Sequence, residues 1–409
     1  MRLLLVAATT GYQTREFAQA AARLGVELVL ATDRCEHLDD PWGDGAIAVR
    51  FEAPHDALPS LEAAGPFTGV VALGDRTTFL AALFAGQAGL PFHSTPAVEA
   101  ARSKFLSKER FRAAGLRQPA FQRFPAGMAP DEAARSVPFP CVLKPMALSG
   151  SRGVIRADDA AGFVSSFRRI AGLLEDPDIR RRKDEQDQFI QVESFIPGRE
   201  FAIEGLMTNG RLKVLAIFDK PDPLDGPYFE ETIYVTPSRH RTEEIVAAVA
   251  RGVTALGLSH GPVHAEVRVN SDGAYLLEIA ARPIGGLCAR ALRFNGGISL
   301  EELVLRHALG EDVSAMEREP AASGVMMIPV PKAGVYRGVA GVEEARRLPG
   351  IEDVVISAKQ GQLLKMFPEA SSYTGFLFSR AATPEAAEAA LREAHALLRF
   401  DIAVELMRK

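Results

Sequence analysis

Two glutamates and an arginine in the second half of the chain are spaced for chemistry on phosphate. In Val263-His264-Ala265-Glu266-Val267-Arg268-Val269 apolar residues alternate with His264, Glu266 and Arg268, which puts those three on one face of a strand. Residues 275–282 predict a second strand with Leu276, Glu278, Ala280 and Arg282 on one face, and Asn270-Ser271-Asp272-Gly273 lies between the two. A three-residue loop with Gly273 in the left-handed position would pair Asn270 with Ala274 and set Glu266 opposite Glu278. Carboxylates facing each other at about 5 Å repel. A divalent cation removes that conflict, and hard oxygen ligands completed by phosphate oxygens and water suit Mg²⁺. Arg282 and the turn Pro283-Ile284-Gly285-Gly286 follow at once, so a cation site, a guanidinium and a flexible amide turn converge. Phosphoryl transfer needs that combination of positioning and charge neutralisation. The competing reading is a polar strand facing solvent.

Lys104, Lys144 and the loop Gly150-Ser151-Arg152-Gly153 could supply the rest of a grip on a triphosphate. Ammonium groups act on phosphates as point charges, and glycines let backbone amides close over phosphate oxygens. Singly, each also reads as a solvated lysine or a plain turn. No G-x-x-x-x-G-K-[ST] element is present, which disfavours a P-loop enzyme.

The elements that must position these groups fall in a readable order. Apolar runs at 3–7, 26–31 and 70–73, with helical patterns at 14–24 and about 77–88, predict an open, doubly wound α/β unit. Its first turn, residues 8–12, lacks G-x-G-x-x-G, so no dinucleotide is assigned there. A single helix is expected from Thr95-Pro96 to Gly115, carrying Lys104 and Lys108. Strands follow at 140–145, with Lys144, and at 188–192, separated by a charged stretch at 180–188 that reads as a solvated helix end or linker. Strands near 325–330, 354–358 and 375–379 and a long Ala/Glu-rich helix from Pro384 predict a small α+β unit at the end.

Composition limits the partners. The 409 residues carry 47 Lys+Arg against 52 Asp+Glu, a net charge of −5, with no long basic run, so nucleic acid is not an expected partner. Cys35, Cys141 and Cys288 show neither CxxC nor CxxH spacing, which argues for a reducing compartment without a disulfide or zinc framework. The N-terminal apolar run is too short for a signal peptide and no stretch approaches about 20 apolar residues, so no membrane association and a cytoplasmic location are expected.

Order and spacing together resemble the ATP-grasp carboxylate–amine ligases. The matching segments are Leu143-Lys144-Pro145, Ser149-Gly150-Ser151-Arg152-Gly153, the hinge Val192-Glu193-Ser194-Phe195-Ile196-Pro197-Gly198-Arg199-Glu200, then Glu266 and Glu278-Ile279-Ala280-Ala281-Arg282. The resemblance implies that ATP is bound by Lys104, Lys144, Ser149, Gly150, Ser151 and Gly153, by the backbone of Glu193, Ser194, Phe195 and Ile196, and by Glu200 at the ribose. It implies Mg²⁺ (or Mn²⁺) on Glu266 and Glu278, and Arg282 with Lys144 steadying the transferring phosphoryl group. Ala280 stands where the family usually has a metal-binding asparagine.

Within the superfamily, residues 218–237 and the glycine pattern of the C-terminal region are similar to the L-amino acid ligase (dipeptide synthetase) branch. That likeness places Glu231 on a substrate amino group and Tyr234, Arg282, Gly285 and Gly286 around the substrates. A surface hairpin is the competing reading for the loop. The implied architecture is α/β: a doubly wound pre-ATP-grasp domain at 1–95, a first ATP-grasp lobe with a Gly-rich flap at 96–185, a second lobe with the Mg²⁺ site at 186–315, and a small α+β domain at 316–409. The implied activity joins a small-molecule carboxylate to an amine through an acyl phosphate, with a homodimer as the assembly such enzymes commonly form. A biotin-carboxylase-like enzyme and a non-catalytic nucleotide-binding protein are the alternatives.

Overall fold

A computed structural model describes residues 1–8, 12–33, 45–370 and 373–403. Most of the first βα turn, and Cys35, lie outside the described residues. The apolar run at the N-terminus forms Arg2–Ala7, buried from Leu3 onward and flanked by two parallel strands, Glu27–Thr32 and Gly69–Leu73; the short Ile47–Ala48 completes a parallel sheet. Helices on both faces explain why its inner strands read as unbroken apolar runs. Helix Tyr12–Leu24 packs on helix Leu300–Ala308, and a Cβ on Gly69 would lie 2.1 Å from the Ala308 carbonyl oxygen. Only glycine allows that approach between the first unit and the rest of the molecule.

The expected single helix at 95–115 is two helices, Thr95–Arg102 and Lys104–Ala113. Ser103 breaks the run with an extended backbone (φ −96°, ψ 110°), and its hydroxyl caps the second helix by accepting from the Leu106 N–H. The first helix has Ser94 at its N-cap position and Pro96 in its first turn. Lys104 therefore opens a helix instead of lying within one. The charged stretch follows directly on a short helix, Pro177–Arg180, and ends in a 3₁₀ turn, Glu185–Gln188, tied back by an Arg102–Asp184 ion pair.

Two antiparallel sheets follow. The first lobe has strands in the order Phe121–Pro125, Phe189–Ser194, Cys141–Pro145, Ile155–Ala157, with helix Ala160–Leu174 packed on it. The second lobe is an eight-stranded sheet that opens with Gly273–Ala280, Gly261–Asn270, Arg199–Thr208, Arg211–Asp219 and Ile233–Thr236. It continues without a break into Ala322–Ile328, Gly375–Ala381 and Ile351–Ile356. The C-terminal segment is thus hydrogen-bonded edge to edge onto the second lobe, with helix Pro384–Leu397 on its face and a three-stranded sheet, Leu363–Leu364, Gly334–Ala340 and Arg399–Ala403, beyond it. Among the described residues no helix is long and apolar enough to cross a membrane.

Candidate active site

Glu266 does face Glu278, but by a different route from the one the loop suggested. The turn is two residues long: Asn270 pairs with Gly273, Val269 with Ala274, Arg268 with Tyr275 and Val267 with Leu276. A register shift at Leu277 then skips one residue, and Glu266–Glu278, Ala265–Ile279 and His264–Ala280 pair beyond it. A bulge of this kind re-aims side chains. Leu276 consequently points into the apolar core on the opposite face, correcting the expectation that it shares a face with Glu278, while Leu277 and Glu278 both line a cleft.

That cleft has a volume of about 370 Å³ and opens between the lobes. Its wall includes Lys104, Lys144, Ser149, Gly150, Ser151, Glu193, Ser194, Phe195, Ile196, Glu200, Glu231, Tyr234, Glu266, Glu278, Arg282, Gly285 and Gly286. Gly153 is not part of the wall. With φ +76°, and a Cβ position only 2.6 Å from Pro145 Cγ, it packs the flap onto the first lobe. The flap turns through left-handed residues at Gly150, Ser151 and Gly153. Lys104 Nζ donates to the Leu148 carbonyl at 2.7 Å and so ties the new helix to the flap's base.

Three ionic arrangements organise the wall. At one end Lys144 donates to Glu193 at 2.8 Å, and Lys108, fully buried, lies 3.9 Å from the other Glu193 oxygen while donating to the Leu276 carbonyl at 2.9 Å. Burial opposes the Glu193 charge, but the two lysines outweigh it and hold the carboxyl at about 2. Burial in turn lowers Lys108 to about 8, whereas Glu193 overcomes the same effect at Lys144 and raises it.

In the middle, the Lys220 ammonium donates to three carboxylates: Glu200 at 2.8 Å, Glu266 at 3.1 Å, and Glu231. Arg268 takes the second oxygen of Glu200 at 2.8 Å and anchors the Ile196 and Leu224 carbonyls. Oxygens of Glu200, Glu231 and Glu266 come within 4.8 Å of one another, close enough to share a metal ion, yet the Lys220 ammonium bonds all three. The three carboxylates overcome burial and raise Lys220 well above its ordinary value. Burial, opposed by Lys220, lifts Glu231 to about 6. Tyr234 donates to Glu231 at 2.8 Å.

At the far end Arg282 forms a two-pronged pair with Asp75, at 3.0 and 3.2 Å. Asp75 comes from the 3₁₀ turn after strand Gly69–Leu73, so the first domain reaches into the cleft. His264 bonds Glu204, and the second Glu204 oxygen accepts from the Ile284 N–H at 3.1 Å; Gln13 holds the Ile284 carbonyl at 3.0 Å. Burial would lower His264, but Glu204 overcomes it and raises the imidazole to about 9. The amide turn before Gly285-Gly286 is thereby held from both sides.

Asp75, Lys108, Glu204 and Lys220 carried no motif signal of their own. Lys220 was within reach, since it follows Asp219 in the segment resembling a substrate loop. Arg268 and His264 were on the correct strand face without an assigned role.

Residues 137–291 match the ATP-grasp domain family, and residues 326–403 match the L-amino acid ligase C-terminal domain 2 family. The chain therefore carries an ATP-grasp domain followed by a C-terminal domain of the L-amino acid ligase type. Along its length it is similar to the L-amino acid ligase from Bacillus licheniformis: TM-score 0.84 and 27% identity, covering 98% of this chain and 99% of that one. The branch it resembles within the superfamily is thus that of the L-amino acid ligases. The biotin carboxylase domain of Hydrogenobacter thermophilus 2-oxoglutarate carboxylase, solved with MgADP and bicarbonate, shares the fold at TM-score 0.67 and 16% identity, covering 98% of this chain and 90% of that one.

Dapdiamide A synthase from Enterobacter agglomerans is 28% identical over 153 residues, 36% of this chain and 34% of that protein. An uncharacterised protein of Sinorhizobium fredii is 23% identical over 272 residues, 66% of this chain and 55% of that protein. The chain is thus matched over about half the length of one curated relative and a third of the other.

Proposed function

We propose that this chain is an ATP-dependent ligase that joins the carboxylate of an amino acid or small acid to an amine. A carboxylate oxygen attacks the γ-phosphorus of ATP and ADP leaves. The amine nitrogen then attacks the acyl phosphate carbon, phosphate departs, and the nitrogen loses a proton. Two easier steps replace one difficult condensation. The observation that carries this reading is the convergence, in one cleft, of the facing pair Glu266–Glu278 with Arg282, Lys144 and the flap.

Glu266 and Glu278 would hold a divalent ion, Mg²⁺ or Mn²⁺. Their hard oxygens suit it, and bound there it neutralises charge on the phosphates. Ala280, buried where a side-chain oxygen is usual, leaves Glu278 and water to complete the ligand set. Lys104 and Lys144 face the phosphates, the 193–196 backbone meets the base, and Glu200 the ribose. Arg282 receives the carboxylate in place of Asp75, and Glu231, with Tyr234, receives an amino group. Beside Glu231 the wall is Met327, Tyr373, Phe376 and Cys288, which favours an apolar side chain.

The test is an ADP-release screen over pairs of amino acids and small acids, with mass detection of the amide. Glu278→Ala is expected to abolish ADP formation while leaving the circular dichroism spectrum unchanged. ADP formation at the wild-type rate in that variant would refute the metal assignment, and ADP formation that needs bicarbonate instead of an amine would replace ligation with carboxylation.

A further inference from the structure

The flap that belongs to the first lobe is seated by the C-terminal segment. The Gly153 N–H donates to the Pro368 carbonyl at 2.7 Å, and Arg152 Nε donates to the Glu369 carbonyl at 2.9 Å. Both acceptors lie just after strand Leu363–Leu364 of the C-terminal three-stranded sheet. The Glu369 carboxylate is then gripped by Arg169, on helix Ala160–Leu174, through bonds of 2.5 and 2.9 Å. Arg169 also donates to the Tyr228 hydroxyl, in the loop that carries Glu231.

Behind the flap the same loop holds on again. Ile155 bridges to Tyr228, and the Arg156 N–H donates to the Pro227 carbonyl at 2.9 Å. Further along the tail from Glu369, Tyr373 lines the cleft with Glu231. The two segments that wall the substrate end of the cleft are therefore the ones that hold the flap.

We propose that Glu369 is a positioning residue for the flap, seating it over the nucleotide so that the acyl phosphate meets the amine before it meets water. The inference rests on the ligase reading above. An ion pair whose side chains are 42% and 37% exposed adds little to global stability, but a two-pronged guanidinium–carboxylate contact fixes direction. Direction is what a lid needs, because closure excludes water from the reactive intermediate. If water attacks instead, the carboxylate and phosphate are returned, ATP is consumed and no amide forms. Attachment of the flap to the substrate-bearing segments would thus link closure to the pocket that holds the substrates.

The experiment compares the wild-type chain with Glu369→Gln and, from the other side of the contact, Arg169→Met. Stopped-flow release of a fluorescent ADP analogue in Mg²⁺ is expected to be about ten-fold faster in both variants. The ratio of ADP to amide should rise above the value of one expected for the wild type, with the melting temperature unchanged. The charge-swapped pair Arg169→Glu with Glu369→Arg should move both readouts back toward wild type. Unchanged release in both single variants overturns the seat, and a ratio that stays at one overturns its role in coupling. Loss of folded protein in both would make the pair structural and overturn the proposal as well. If the wild type forms no amide from any pair, the ligase reading fails, while the release rates still decide whether Glu369 seats the flap.

Discussion

Lys108 shows how a single buried charge can join parts that carry separate tasks. Its ammonium lies between Glu193 on the first lobe and the Leu276 carbonyl next to the bulge of the Glu266–Glu278 hairpin, with no exposure to speak of. Burying a charge is costly unless it is paired and hydrogen-bonded, and here both conditions are met. Lys108→Met removes the ammonium and leaves Glu193 with Lys144 as its lysine partner. Stability to urea should fall by about 3 kcal/mol, the usual cost of breaking a buried pair from one side. An unchanged urea midpoint would show that Lys144 suffices to hold Glu193.

At the scale of elements, two local irregularities aim the site. The bulge at Leu277 lets Glu278 face Glu266 although the turn is one residue shorter than expected. Because side chains alternate along a strand, a ladder without the bulge would send Glu278 into the core. The break at Ser103 is the second irregularity. It starts a fresh helix at Lys104, placing Lys104 toward the flap and Lys108 toward the hairpin. Ser103→Ala removes the cap and should lower the melting transition by the equivalent of about 1 kcal/mol. It should also raise the KM for ATP, since Lys104 leaves its first-turn geometry. Ser103→Asp, which can still cap, should restore both in parallel thermal and kinetic measurements.

At the scale of the molecule, the first domain is joined to the second lobe by Asp75–Arg282 and by a buried histidine at the junction. His93 Nδ1 accepts from the Ser259 and His260 N–H groups, which leaves Nε2 to donate to the Pro262 carbonyl at 3.3 Å. The two bonds accepted by Nδ1 require the neutral ring, and burial, with His260 and His307 nearby, outweighs the Pro262 bond and pushes its pKa from 6.5 down to about 4. When the native pKa lies below the unfolded one, the unfolded chain binds more protons in between, so stability falls as pH falls. The loss should begin near pH 6.5, continue toward pH 4 and reach about 3 kcal/mol for this ring. Urea midpoints measured between pH 7 and 4.5 test it. His93→Gln should be less stable at pH 7 yet show a shallower slope.

The amino-acid sequence by itself determined what repeats locally. Alternation marked the strand bearing Glu266, apolar runs marked the parallel sheet and the strand that carries Lys144, and the order of short motifs carried the ATP-grasp resemblance. These features depend on side-chain period and on residue type, which a linear reading contains. Tertiary structure alone decided the partners. Asp75 meets Arg282 across 207 residues and Arg169 meets Glu369 across 200, and no periodicity couples positions so far apart. The bulge and the helix break escaped for a related reason. Each is a one-residue departure from a regular pattern, favoured because the packing around it buries Leu276 and Lys108 and leaves the charged groups facing the cleft.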